Sequence, residues 1–134
     1  MSDLKIALVT GAARGIGLAT TKQLVGDGFT WETQDRQRDI EAAKQAWERA
    51  KAMIMDENIH MVLLDELNIV LRYDYLDINE VVEFLKTKPE MKHVIITGRN
   101  AKEELMEFAD LVTEMTMIKH PFRSGVKAQV GVEF

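Results

Sequence analysis

The stretch Lys5-Ile-Ala-Leu-Val-Thr-Gly-Ala-Ala-Arg-Gly-Ile-Gly17 constrains the fold more than any other part of the chain. Its apolar run, Ile6 to Val9, is short and rich in strand formers, as a buried strand requires. Glycines follow at positions 11, 15 and 17, and Leu18-Ala-Thr-Thr-Lys-Gln-Leu-Val25 then starts a helix. A strand that turns through glycines into a helix N-terminus forms an anion cradle. The glycines let the backbone turn tightly and approach a phosphate, while unpaired N–H groups and the helix dipole favour negative charge. Thr10, Gly11, Arg14, Gly15, Ile16 and Gly17 are therefore the candidate phosphate-binding residues. The alternative at this point is a glycine-rich turn that binds nothing.

The chain beyond repeats the theme. Gly26-Asp-Gly28 stops the first helix. Phe29 to Gln34 alternates apolar or β-branched residues with polar ones, suiting a half-buried strand or a loop. From Ile40 to Met55, the residues Ile40, Ala43, Trp47, Ala50 and Ile54 recur at helical spacing, opposite a face carrying Lys44, Glu48, Arg49 and Lys51. His60 to Leu67 is a second apolar strand ending in Asp65-Glu66, and Asn68 to Leu76 is ambiguous. Asp77-Ile-Asn-Glu80 resembles a capping box for a helix buried through Val81, Val82 and Leu85 and ending near Pro89. His93 to Gly98 is a third apolar strand. Asn100 and Glu103 open a short helix carrying Leu105 and Phe108. Leu111 to Ile118 has strand character with Met115 and Met117 on one face, His120 to Gly125 is a turn, and Val126 to Phe134 alternates as a final strand.

Strands alternating with helices predict an α/β fold: a three-layer, doubly wound, mostly parallel sheet of about five or six strands in a single domain over residues 1–134. Ligands in such sheets bind beyond the carboxyl ends of the strands. That places the Gly11–Gly17 loop, Asp65-Glu66 and Thr97-Gly98-Arg99 along one edge. The Ile6–Val9 strand is expected at the centre, beside Val62–Leu64, because both are apolar on both faces.

Composition narrows the function. A net charge of −5 argues against a general nucleic-acid surface. No apolar run is long enough to cross a membrane, and the absence of cysteine is compatible with the cytoplasm. A soluble, cytoplasmic protein is expected, either monomer or homodimer. His60, His93 and His120 lack metal-ligand spacing, and the eight methionines are expected to fill the core. Val62-Leu-Leu-Asp-Glu66 has the Walker B pattern: a carboxylate at the strand tip can hold Mg²⁺ beside a nucleotide phosphate, and its neighbour can orient a water or a base. Acids at a strand end are also often merely solvated or capping.

Two resemblances follow. The spacing Thr-Gly-x-x-x-Gly-Ile-Gly at Thr10–Gly17 resembles the loop of short-chain dehydrogenases/reductases, which implies an adenine dinucleotide, NAD or NADP. Asp35 then falls near the ~20-residue spacing of the acid that bonds the ribose. Its other reading, as a cap of the following helix or a solvated acid, stays open. From Gly28 onward the chain resembles the P-loop ATP:corrinoid adenosyltransferases. The matching stretches are Gly28-Phe-Thr-Trp31, Met61-Val-Leu-Leu-Asp-Glu-Leu67, Tyr73-Asp-Tyr-Leu76, Val94-Ile-Ile-Thr-Gly-Arg99 and Gly125-Val-Lys-Ala-Gln-Val-Gly-Val-Glu-Phe134. In that family ATP donates its 5′-deoxyadenosyl group to a reduced cobalt corrinoid. The resemblance implies Asp65 and Glu66 near Mg²⁺-ATP, with Asp65 as the metal ligand. It also implies Phe29 and Trp31 against the corrin and the last ten residues near the nucleotide, while Arg99 is a cofactor-binding candidate from its place just past a strand end.

The chain departs from both patterns. It contains no Gly-Lys-[Ser/Thr], and it lacks the dehydrogenase Tyr-x-x-x-Lys. Two families inside one nucleotide-binding core lead to the expectation of an engineered chimera: residues 1–27 from a Rossmann dehydrogenase, residues 28–134 from an adenosyltransferase. Such a scaffold would bind a phosphate or dinucleotide weakly, require no cofactor and show no turnover. The alternatives are an ATP:corrinoid adenosyltransferase with a substituted phosphate loop, and a small dinucleotide-binding module.

Overall fold

The computed structural model describes residues 6–10 and 36–125 of the chain. Strand β1 (Ile6–Thr10) is followed by helix α1 (Arg36–Met55), strand β2 (Met61–Asp65), helices α2 (Leu67–Arg72) and α3 (Ile78–Leu85), strand β3 (His93–Ile96) and helix α4 (Glu103–Phe108). A 3₁₀ turn, Pro121–Ser124, comes last among the described residues. The strands form one parallel sheet in the order β1-β2-β3. The expected neighbours, Ile6–Val9 and Val62–Leu64, are indeed paired. Among the described residues β2, not β1, is the middle strand. The count of five or six strands is not reached: three strands are described, and residues 29–34 and 126–134 lie outside the described residues.

Helix α1 forms where the apolar stripe demands it, with Ala43, Trp47, Ala50 and Ile54 all buried. Its exposed side is laced by Gln45 donating to Glu41 at 3.3 Å and by a Lys51–Glu48 ion pair at 2.5 Å. Trp47 meets Phe84 of α3 edge-on, ring centres 5.4 Å apart, which locks the two helices together. Helix α3 starts where the capping signal placed it: the Asp77 carboxylate accepts from the backbone N–H of Asn79 at 2.7 Å and Glu80 at 3.4 Å. Its stripe of Ile78, Val81, Val82 and Leu85 is buried.

These helices cover one face of the sheet. Val62 and Leu64 are buried, stand beside Val94 and Ile96 in register, and join the side chains of α1, α2, α3 and α4 in one core. The expected second helical layer is not among the described residues. The other face of β2 and β3 carries Met61 and Leu63, half-buried, and Ile95, exposed. Lys92 is buried at the foot of β3, its ammonium donating to the carbonyls of Asp56 and Ile59 just past the end of α1.

Three expectations fail on local grounds. Asn100 does not cap α4; it adopts a left-handed conformation (φ 57°), and the helix starts after Lys102. Asparagine tolerates that conformation as readily as it caps, so the letter alone does not choose. Leu111–Ile118 is not a strand, because no neighbour pairs with its backbone among the described residues, and the segment is exposed throughout. Nor are the methionines mainly core: Met55, Met91, Met106, Met115 and Met117 are all exposed.

Candidate active site at the strand ends

The carboxyl ends of the strands are brought to one edge by the parallel register. Thr10 is the register partner of Asp65. Asp65 closes β2, and Thr97-Gly98-Arg99 follows β3 directly. The acids at 65 and 66 do not simply alternate across the sheet, because Glu66 takes a left-handed conformation (φ 61°, ψ 19°) and turns the chain into α2. Glutamate gains nothing locally from that region, which costs a non-glycine residue about 1–2 kcal/mol. Its backbone is held by bonds on both sides: its N–H donates to the Thr97 hydroxyl at 3.0 Å, and its carbonyl accepts from Ile69 at 3.0 Å.

Thr97 is the joint of this edge. Its hydroxyl donates to Asp65 Oδ1 at 2.8 Å, its N–H donates to the Leu64 carbonyl at 3.2 Å, and its carbonyl accepts from Asn68 N–H at 3.3 Å. The Asn68 side chain, buried, donates to the Gly98 carbonyl at 3.1 Å, while its own oxygen has no partner among the described residues. Gly98 is required here for two reasons. Its φ is +117°, and a Cβ would stand 3.0 Å from Asn68 Cβ and 3.4 Å from Glu66 Cα. The two strand ends are thus interlocked through backbone and hydroxyl.

Among the described residues no group of three or more His, Cys, Asp or Glu side chains could hold a metal ion. Mg²⁺ on a nucleotide needs no such cage, since it keeps several waters and takes one or two carboxylates together with phosphate oxygens. Asp65, half-buried, with Oδ1 engaged by Thr97 and Oδ2 without a partner among the described residues, has the donor chemistry for that arrangement.

Of the residues singled out from sequence, the structure brings Thr10, Asp65, Glu66 and Arg99 to the same edge, with Arg99 exposed. Gly11, Arg14, Gly15, Ile16, Gly17, Phe29, Trp31 and Asp35 lie outside the described residues. The Tyr73–Leu76 stretch is a turn clamped by cations. Arg36 donates to the Tyr73 carbonyl at 3.0 Å and lies 5.2 Å from the Tyr75 ring centre, and Lys102 pairs with Asp74 at 2.6 Å. The Lys102 hydrogen bond and charge, helped by Arg36, hold the Asp74 carboxyl below its usual range. Sequence reasoning missed Thr97 as the partner of Asp65 and missed Asn68 altogether. The only signal was a hydroxyl directly after an apolar strand, and a bond across 32 residues leaves no local periodicity.

The family model for the ATP:corrinoid adenosyltransferase BtuR/CobO/CobP matches residues 6–134. The chain belongs to this family. A corrinoid adenosyltransferase of Sinorhizobium sp is 69% identical over 111 residues, covering 82% of this chain and 52% of the relative. Those of Pseudomonas aeruginosa and Escherichia coli are 50% and 46% identical, over 83% and 84% of this chain and 55% and 57% of theirs. The chain thus spans about half the length of the curated relatives it matches.

Family membership corrects the sequence reading. The family model takes in the Gly11–Gly17 loop, so assigning residues 1–27 to a dehydrogenase has no support, and with it goes the basis for expecting NAD or NADP. The expectation of an engineered scaffold without turnover is overturned by relatives that are adenosyltransferases at up to 69% identity. The error has a physical source. A strand running through glycines into a helix is a general solution for holding an anion, shared by unrelated nucleotide-binding folds, and does not discriminate between them.

Proposed function

We propose that this chain is an ATP:corrinoid adenosyltransferase built on a single α/β domain, with its nucleotide at the carboxyl edge of the sheet. The observation that carries the reading is the Asp65 carboxylate, fixed at the tip of a parallel strand by Thr97 with one oxygen left over, in a chain of this family. Asp65 would hold Mg²⁺ through Oδ2, and the glycines at 11, 15 and 17 would bring backbone N–H groups to the phosphates. Bound there, Mg²⁺ would neutralise charge on the triphosphate. Phe29 and Trp31 are assigned to the corrinoid side, and the Gly125–Phe134 stretch to the nucleotide side, on the family resemblance; Arg99 is assigned to the nucleotide side from its place just past a strand end.

Transfer of the deoxyadenosyl group joins the corrinoid cobalt to C5′ of ATP, with the electron pair coming from the reduced cobalt. The C5′–O bond breaks, and its pair leaves with the triphosphate. The chain's part is positional: to hold the triphosphate still while C5′ meets the cobalt, and to keep water from the reduced metal. Incubation with ATP, Mg²⁺ and a chemically reduced corrinoid should yield a light-labile cobalt–carbon product above the protein-free control. Asp65→Asn should lower the rate by about tenfold or more. No product above the control, at any ATP concentration, overturns the reading.

A further inference from the structure

We infer that Thr97 is a positioning residue for the nucleotide-bound metal, acting through Asp65 and Glu66. The inference rests on the adenosyltransferase reading and deepens it. A threonine hydroxyl has one proton to give and two lone pairs. Here the proton goes to Asp65 Oδ1 at 2.8 Å, and one lone pair takes the Glu66 N–H at 3.0 Å. One hydroxyl therefore does two things at once. It selects which Asp65 oxygen is engaged by the protein and which remains for the metal, and it pins the left-handed turn that separates the two acids.

Thr97 itself has little freedom. Its N–H and C=O are both bonded to the β2–α2 chain, to Leu64 and Asn68, so its Oγ1 is delivered from a fixed backbone. The β-branched side chain further restricts χ1. Gly98 next to it permits the close approach, because any side chain there would meet Asn68. The Asp65 rotamer is thus set from the neighbouring strand. The Glu66 conformation is the second sign of this arrangement: a non-glycine residue at positive φ needs surroundings that over-determine it, and Thr97 is one of them.

The test is Mn²⁺ binding to the full chain in the presence of ATP, followed by electron paramagnetic resonance, for the parent, Thr97→Val and Thr97→Ser. Valine keeps the shape and removes the hydroxyl; serine keeps the hydroxyl. Thr97→Val should weaken Mn²⁺·ATP about 10–100-fold, the usual effect of removing the hydrogen-bond partner of a metal ligand, while Thr97→Ser should stay within about threefold of the parent. Thr97→Ala replaces the valine variant if that one does not fold. Thermal unfolding followed in parallel separates the roles: a merely structural threonine would lower the melting temperature and leave Mn²⁺·ATP affinity in the folded fraction unchanged. Equal affinity in the parent and the hydroxyl-free variant overturns the inference and leaves the functional reading standing. A parent that binds no Mn²⁺·ATP removes both.

Discussion

The two faces of the β2–β3 pair differ although both are largely apolar, the second carrying His93 beside Met61, Leu63 and Ile95. On one, Val62, Leu64, Val94 and Ile96 meet four helices and form the core. On the other, Leu63 is half-buried and Ile95 is 43% exposed. The tract after α4 goes further: Leu111, Met115 and Ile118 are 82%, 93% and 86% exposed. The two faces share one ladder and differ in the helices that cover them, whereas the exposed tract differs from the helices in how an element completes its hydrogen bonds. A helix satisfies its backbone within its own segment and needs only a surface for its stripe. A strand must borrow a neighbour, so an alternating pattern states a requirement that the segment cannot meet alone.

The sharpest way to break the comparison is to truncate both faces equally. Leu64→Ala should cost about 2–5 kcal/mol in chemical denaturation, because a packed core relaxes only partly around a cavity. Ile95→Ala, exposed at the start, should cost well under half of that, about 1 kcal/mol or less. Equal losses would mean that the second face is as well packed as the first. Gly98→Ala comes next. The methyl group meets Asn68 and the φ is left-handed, so a loss of about 1–3 kcal/mol is expected, together with weaker nucleotide binding. Asp77→Ala removes two capping bonds from α3 and should cost about 1 kcal/mol, read from the urea midpoint.

The smallest effects belong to the open side and the surface. Met115→Ser should change stability by no more than about 0.5 kcal/mol and should improve solubility. For Asp74 the sign follows from its lowered pKa. The carboxylate is favoured in the folded chain, so its contribution is present above the ordinary aspartate range and fades as pH falls through the depressed value. Lys102→Met should raise the Asp74 pKa toward the ordinary value in a ¹³C carboxyl titration. An unchanged curve would show that Lys102 does not set it.

Legibility tracked the same divide. Trp47 and Ile54 could be placed in the core because a stripe along one helix is a local signal, and Asp77 could be placed at a helix start because its bonds reach only Asn79 and Glu80. The three strands could be found from their apolar runs, and the edge holding Asp65 followed from their parallel order. Thr97 could not be paired with Asp65, since that contact depends on register between strands. The Leu111–Ile118 tract was misread for the complementary reason: its side-chain pattern is sound, but the pattern does not say whether a neighbour is in place. At the glycine loop, which lies outside the described residues, the spacing led to a lineage that the family match does not support.

The buried Lys92 has a consequence for how the molecule opens. Its ammonium holds two carbonyls of the turn after α1, and its own N–H donates to Pro89 at the turn before β3. Those two turns cannot swing out separately without stranding a charge away from both water and partner. In native-state hydrogen exchange, the amides of Ile59 and His93 should therefore share one opening free energy and slow together, well behind the amides of residues 111–118. One lysine would thus join the lower ends of two elements into a single cooperative unit.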